Sequence, residues 1–396
     1  MSNVKKIGVF FLFIVLLIIS LVACGSSTSI NGDLQGGSGL NVDRGNVLDE
    51  DAMNIPNVQM MDENVGWSVF NNSIYRTVDG GRIWLDVTPS GITTTSDYVY
   101  FHTGNRAFIA SNENTHWKIY YTKNGGGSWE TGEDIPVAGA FANFSFHSKT
   151  EGSLMITKNP GLNYSEVILL TTKNGGKSWS AVIDETKDNS ENMLPHSGNK
   201  TGIAFKDHKN GWIVGVKSQH KVPWIYKTAD GGISWKKQDI PTPKNNKYEG
   251  VWTEVPNFFN DKVGMLFVQT YSRDKAFSHF YTTNDGGETW SESGTIENKS
   301  DYLMHDFVSS TNGWMSDGKS LYRTEAGLQN WIQIMAVKEI MGETTDSVIV
   351  SLEFVSETKG WLIIRGEGNK YILCDTNDGG MTWNFTNPKL MTVREM

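Results

Sequence analysis

Through most of its length the chain alternates apolar and polar residues with a period of two, and clusters of turn residues cut each run short. Runs such as DYVYFHT at 97, GIAFKD at 202 and LEFVS at 352 predict strands with one face turned to a core. A second kind of run opens on a Gly-Trp pair: VGWSVF at 65, NGWIVG at 210, NGWMSD at 312 and KGWLII at 359. A third reads IYKT at 225 or LYRT at 321, ending on a threonine that leads into a tight turn. No long amphipathic stretch of helical period competes with these runs, so the pattern predicts an all-β fold.

The turn after the third run recurs with little change. TVDGGRIW ends at Trp84, TKNGGGSW at Trp129, TKNGGKSW at Trp179, TADGGISW at Trp235, TNDGGETW at Trp290, TEAGLQNW at Trp331 and TNDGGMTW at Trp383. The spacings between these tryptophans are 45, 50, 56, 55, 41 and 52 residues. In six of the seven turns an Asp or Asn side chain can accept turn amides while glycine supplies positive φ, a hairpin signal. A self-similar unit of this length, with strands in the order inner, second, third, turn, outer, predicts one four-stranded β-propeller blade. The fold expected is a seven-bladed propeller over residues 56–396.

The turns resemble the Asp-box, or sialidase-type BNR repeat, with the pattern Ser/Thr-x-Asp-x-Gly-x-Thr-Trp. Thr228, Asp230, Gly232, Ser234 and Trp235 match it in the fourth copy. Asp79, Asp285 and Asp378 hold the acid position elsewhere, Asn124 and Asn174 replace it, and the sixth copy has Ala326 and Leu328 where the acid and second glycine belong. The resemblance implies a structural hairpin at the blade periphery, away from any chemistry. One carboxylate per blade cannot furnish the 6–8 oxygens of a calcium site, so no metal is expected there.

Sialidases also carry three clamping arginines, a Tyr/Glu nucleophile pair, an acid and an Arg-Ile-Pro motif. That motif is missing, and of the arginines only Arg106, Arg273 and Arg365 lie away from turns and termini, at second strands or their ends. The joint pattern of Gly-Trp pair, Tyr-(Lys/Arg)-Thr and turn, over roughly residues 56 to 388, resembles the photosystem II stability and assembly factor family. Those are single seven-bladed propellers, some of them lipoproteins, and the resemblance implies a non-catalytic scaffold for a membrane-protein partner. The family's arginine-rich face has no counterpart among the scattered arginines of this chain.

The chain start adds an address. Lys5 and Lys6 precede the apolar run IGVFFLFIVLLIISLVA, which ends at Cys24. Leu21-Val22-Ala23-Cys24 resembles a bacterial lipobox, which implies removal of residues 1–23 and lipidation of Cys24; the other reading is an uncleaved membrane helix. Either places the folded part on the extracytoplasmic side of a cell membrane. Residues 24–55, rich in Gly, Ser, Asn and Asp, read as a flexible tether with a reach of ~30 Å. The remaining cysteine, Cys374, lies in the apolar run KYILCDT and reads as a buried, inert thiol. Net charge is −9, or −11 without residues 1–23, which argues against nucleic acid as a partner.

Candidate chemistry is sparse. Of 14 tryptophans, seven close turns, Trp67, Trp212, Trp314 and Trp361 belong to Gly-Trp pairs, and Trp117 and Trp224 sit just ahead of third strands. Trp252 remains, in PTPKNNKYEGVWTEVPNFFN, read as a long connection from the fourth unit to the fifth. Tyr248, Trp252 and Glu254, with Asp301 and His305 from segments beside inner strands, form the candidate contact cluster for a protein or glycan partner; packing between blades is the competing reading for the aromatic pair. Glycosidase chemistry would need two carboxylates about 5–9.5 Å apart, and Glu254, Asp301, Asp306 and Glu353 are the acids that could supply them. His102, His147, His208 and His305 fall near ends of inner strands without metal-ligand spacing and read as solvated rim residues. No cofactor is expected, and the chain is expected to be a monomer. Closure of the ring is left to LMTVRE at 390, a possible added strand.

Overall fold

A computed structural model of the chain describes residues 54–391, apart from 94–97, 114, 162, 185–193, 218–221, 242–247, 274, 299–302, 325–326 and 343–345. The lipobox with Cys24, almost all of the tether, and Asp301 therefore lie outside the described residues. Among the described residues no helix is long and apolar enough to cross a membrane.

The repeats fold into seven antiparallel sheets, each with its strands in chain order. Blade one holds Gln59–Met60, Gly66–Phe70, Ser73–Thr77 and Ile83–Asp86; blade two holds Val99–Thr103, Arg106–Asn112, Trp117–Thr122 and Glu130–Thr131. Blade three comprises Phe141–Phe146, Gly152–Gly161, Tyr164–Thr172 and Ser180–Asp184, and blade four Asn199–Phe205, Gly211–Val216, Trp224–Thr228 and Lys236–Lys237. In blade five the innermost strand is broken into Gly250–Thr253 and Asn257–Phe258, both paired with Gly264–Tyr271, and Ala276–Thr283 and Ser291–Asn298 follow. Blade six has Met304–Phe307, Gly313–Ser316, Ser320–Thr324 and Ile332–Ala336; blade seven has Val348–Phe354, Gly360–Arg365, Tyr371–Thr376 and Asn384–Thr386. Trp117 and Trp224 open third strands rather than preceding them.

The hydrophobic core is not one mass but seven, each shared by two consecutive blades. The last joins Trp361, Ile363 and Leu373 of blade seven to Ile55, Val58, Met60, Tyr75 and Trp84 of blade one, which closes the ring. Because second strands lie inside the sheet and are buried on both faces, they read as continuous apolar runs, as in Gly360–Arg365. The chain end adds a strand at this seam. Lys389–Met391 lies parallel to Ile83–Asp86 on the outer edge of blade one.

The recurring turn is held by its own side chains. In the fourth, Thr228 Oγ1 donates to Asp230 Oδ1 (2.8 Å) and accepts the amides of Asp230 and Gly232 (3.3 and 2.9 Å), while Ser234 donates through its amide to Oδ1 and its hydroxyl to Oδ2 (2.9 and 2.6 Å). Gly231 and Gly232 carry φ of 79° and 95°, values that strain any residue with a Cβ. Trp235 Nε1–H then donates to Gly232 O (2.9 Å), folding the indole back under the turn. In the second and third turns the geometry survives with the polarity reversed: Asn124 and Asn174 Nδ2–H donate to Ser128 and Ser178 Oγ (3.0 and 2.8 Å). The sixth turn, lacking the acid, ties Thr324 Oγ1–H to Asn330 O (2.7 Å) instead.

The Gly-Trp pair and the basic residue of Tyr-(Lys/Arg)-Thr explain each other. Register places Trp67 opposite Arg76, Trp212 opposite Lys227 and Trp314 opposite Arg323. Each cation lies over its indole, at 5.6, 5.7 and 5.3 Å from the ring centroid. In blade seven Asp375 stands opposite Trp361, and Lys359 covers the ring instead (4.9 Å), paired with Asp375 (2.6 Å). Trp67, Trp212 and Trp314 also meet an aromatic of the next blade, Phe101, Phe258 and Phe354, most closely Trp314 on Phe354 at 3.6 Å and 1°. That phenylalanine in turn lies over Gly360, where an added Cβ would fall 2.4 Å from its ring. The indole N–H also crosses the interface: Trp314 donates to Gly379 O and Trp361 to Gly80 O, both at 2.9 Å.

Candidate functional site

The expected contact cluster falls where blades five and six meet, and the structure divides it. Tyr248 is only 4% exposed and belongs to the core between blades four and five, with Trp212, Leu266 and Tyr281. The aromatic ring beside the connection is thus part of the packing and is not presented to a partner. Trp252 does not lie on a connecting loop: it is the third residue of the strand Gly250–Thr253, opposite Gln269, and half-buried. The alternating run GVWT pairs with the second strand and is extended for that reason.

Glu254 follows directly, exposed, its amide donating to Phe267 O (3.1 Å). Its carboxylate Oε2 lies 3.5 Å from Nε2 of His305, which comes from the innermost strand of blade six. His305 is 16% exposed and packs on Phe267 at 4.2 Å, with Phe280 and Phe307 around it. An acid and an imidazole from different blades are therefore brought together over an aromatic floor.

The other acids of the inner strands differ. Asp306 is buried, and its carboxylate accepts the amide of Phe307 (2.9 Å) and that of Phe354 in blade seven (2.5 Å), so it latches two inner strands. Tyr100 OH and Ser145 Oγ do the same for the amides of Phe146 and Phe205, at 3.3 and 2.8 Å. Glu353 stands opposite Trp361 in blade seven.

Of the four histidines read as solvated, His208 is exposed, whereas His102, His147 and His305 are partly buried. His102 is pushed down to about 4, mainly by burial and then by the charge of Arg106. His147 is also lowered, again mainly by burial, although Glu151 lies 3.4 Å from its Nε2. Both are neutral packing residues at neutral pH. Arg106 opens a second strand, Arg365 closes one and Arg273 follows one, so no triad of arginines converges. Cys374 is fully buried, and burial followed by the neighbouring Asp375 pushes its thiol far up, which leaves it unreactive. Among the described residues no group of His, Cys, Asp and Glu could hold a metal ion.

One polar cluster escaped the sequence reading. His279, in the middle of a third strand, is bonded to Thr270, Glu292 and Thr295. Its sequence signal is the lone imidazole in the apolar run AFSHFYTT, and its partners were hidden because a bulge shifts the register between Phe280 and Tyr281.

No protein-family model and no curated protein sequence matches the chain. Solved structures do resemble it in fold. A prolyl endopeptidase structure superposes with a TM-score of 0.52 at 10% identity over 83% of this chain and 48% of the other. The extracellular domain of a putative hybrid two-component system from B. thetaiotaomicron gives 0.49 at 12% over 83% and 38%, and a Hadza microbial sialidase 0.39 at 10% over 69% and 66%. The chain spans less than half the length of the first two. The first of these likenesses supports the propeller fold and nothing finer.

Proposed function

We propose that the chain is a membrane-anchored, extracytoplasmic propeller that binds a protein or glycan partner without chemistry, on the face where blades five and six meet. The observation that carries this is the meeting of Glu254 with His305 across two blades, beside Trp252 and over Phe267. Tryptophan is enriched among the residues that anchor protein interfaces, and aromatic side chains with a few polar groups line ligand clefts. A hydrolase of the sialidase kind would need converging arginines, which the separate positions of Arg106, Arg273 and Arg365 do not offer, and other glycosidase chemistry would need two facing carboxylates. Against it, Asp306 is committed to two backbone amides and Glu254 to an imidazole. The Asp-box resemblance of the turns, and the likeness to the photosystem II assembly factors, favour a scaffold, although a partner here would not meet an arginine-rich face. Membrane attachment rests on the sequence around Cys24.

One experiment tests both halves. Cells expressing the full chain are fractionated and partners captured from the membrane fraction, alongside a glycan array. Trp252→Ala should lower capture or glycan binding at least tenfold with an unchanged melting temperature, and Cys24→Ser should move the chain to the soluble extracytoplasmic fraction. Equal capture by Trp252→Ala would exclude this face, and persistent membrane association of Cys24→Ser would point to an uncleaved helix.

A further inference from the structure

Blade five holds a cleft of about 380 Å³ lined by Phe277, His279, Glu292, Ser293, Gly294 and Thr295, with Gln329 reaching in from the sixth turn. That turn is the one that departs from the repeat. Leu328, in place of the second glycine, is buried with Phe267, Phe280 and Phe307, and its carbonyl would lie 2.1 Å from a Cβ on Gly294. The turn seats blade six against the outer strand of blade five, as the regular third turn does where Gly176 O would lie 2.6 Å from a Cβ on Gly132, and it puts Gln329 at the cleft.

The hydrogen bonds of the lining run in one direction. Thr270 Oγ1 lies 3.0 Å from Nε2 of His279, whose Nδ1 lies 3.2 Å from Glu292 Oε1 and 3.0 Å from Thr295 Oγ1. Thr295 donates its own hydroxyl to Glu292 Oε1, so Nδ1 carries the imidazole proton and Nε2 accepts from Thr270. Ser293 donates to Ser291 O (3.3 Å). The hydroxyl hydrogens and the imidazole proton are therefore all committed within the wall. What remains toward a ligand is the carboxylate, hydroxyl lone pairs, the Gln329 amide and the ring of Phe277.

His279 is buried, and burial lowers its tendency to protonate, so it orients Glu292 without neutralising it. Among the described residues no lysine or arginine forms an ion pair with Glu292, whose side chain is 20% exposed. A half-desolvated carboxylate beside an aromatic ring and surplus acceptors is complementary to a cation that brings several N–H donors. A neutral polyol fits less well, because a wall with few free donors leaves the acceptor half of each sugar hydroxyl unmet.

We infer that this cleft is a binding site for a primary ammonium group, with Glu292 as its counter-ion, Phe277 as its cation–π face and Thr295 and Gln329 as acceptors. The site is separate from the face around Trp252 and does not depend on the reading given to that face.

The test uses the full chain, titrated calorimetrically with 1,5-diaminopentane, with Nα-acetyl-lysine amide, and with 1,5-pentanediol and methyl β-glucoside as uncharged probes. Saturable 1:1 binding of the diamine is expected, at least tenfold weaker in Glu292→Gln. Because that variant also perturbs the His279 network, Gln329→Lys, at an exposed position, supplies the second arm: it leaves the network intact and should also weaken the diamine at least tenfold. Trp252→Ala should leave diamine affinity unchanged. Binding of the lysine amide as well as the diamine would identify the ammonium of a protein side chain as a ligand; binding of the diamine alone, a free amine. No saturable binding of either amine, equal binding of the diol or glucoside, or full affinity in both Glu292→Gln and Gln329→Lys would overturn the assignment.

Discussion

The acid of the repeat turn is better described as a junction for hydrogen bonds than as a charge. Asp285 accepts the amides of Glu288 and Thr289 and the hydroxyls of Thr283 and Thr289, at 2.6 to 3.1 Å. The hydroxyl and amide of Thr289 are the main reason its carboxyl is held far below the ordinary range. A carboxyl depressed in the folded state contributes stability that is fully present above its unfolded value of about 3.9 and is lost as pH falls toward the folded one. Asn124 and Asn174 show that the same turn forms with an amide, the serine then accepting. Asp285→Asn should therefore fold, melt lower than the parent at neutral pH, and converge with it as the pH is taken from about 5 to about 2. Melting curves across that range check it; a gap that persists unchanged at the acid end would mean that these hydrogen bonds do not favour the ionised carboxylate.

At the scale of the element, the repeated motif is a stack of four layers that crosses a blade boundary: cation, indole, aromatic ring, glycine. Arg323, Trp314, Phe354 and Gly360 make the tightest copy. Phe354 is 1% exposed and lies flat on the indole, so it has no room to retreat from a methyl group 2.4 Å away. Gly360→Ala should cost about 1–3 kcal/mol, the range for overpacking a closed core, read as a shift in denaturant midpoint without a change in slope. At the same register position blade two carries Ala107, beside Phe101, so Ala107→Gly should cost no more than the ordinary glycine penalty in a strand. Three layers of this stack were legible in sequence, because Gly and Trp are adjacent and the basic residue recurs at a fixed offset. The fourth was not, since the aromatic comes from the next unit and only the closed ring sets it against the indole. The same limit shaped the candidate site. Glu254 and His305 could be placed near inner strands, but the burial of Tyr248 depends on blades four and five closing over it, and the contacts of His279 depend on a bulge in the neighbouring hairpin.

For the molecule as a whole, the number of blades followed from spacing, while the way the ring shuts did not. A tryptophan every forty to sixty residues states how many sheets there are, but a seam involves the two ends of the chain, where no repeat supplies a template. The structure shows two closures of different weight. Inside, Ile55, Val58 and Met60 enter the core of blade seven, Trp361 donates to Gly80, and Asn54 Oδ1 accepts the amide of Tyr371 (2.6 Å). Outside, Lys389–Met391 adds a parallel strand to blade one, with Lys389 N–H donating to Arg82 O (2.8 Å) and Leu390 45% exposed. Burial governs stability here, so the inner closure should dominate. Deleting residues 389–396 should lower stability by no more than about 2 kcal/mol, since it removes a few edge hydrogen bonds at roughly 1 kcal/mol each or less and little buried surface. Ile55→Ala, which empties a fully buried position at the seam, should cost about 2–5 kcal/mol although it removes far fewer atoms. Equilibrium unfolding of the two variants decides the order, and a deletion more damaging than Ile55→Ala would mean that the outer strand, not the core of the last interface, holds the ring shut.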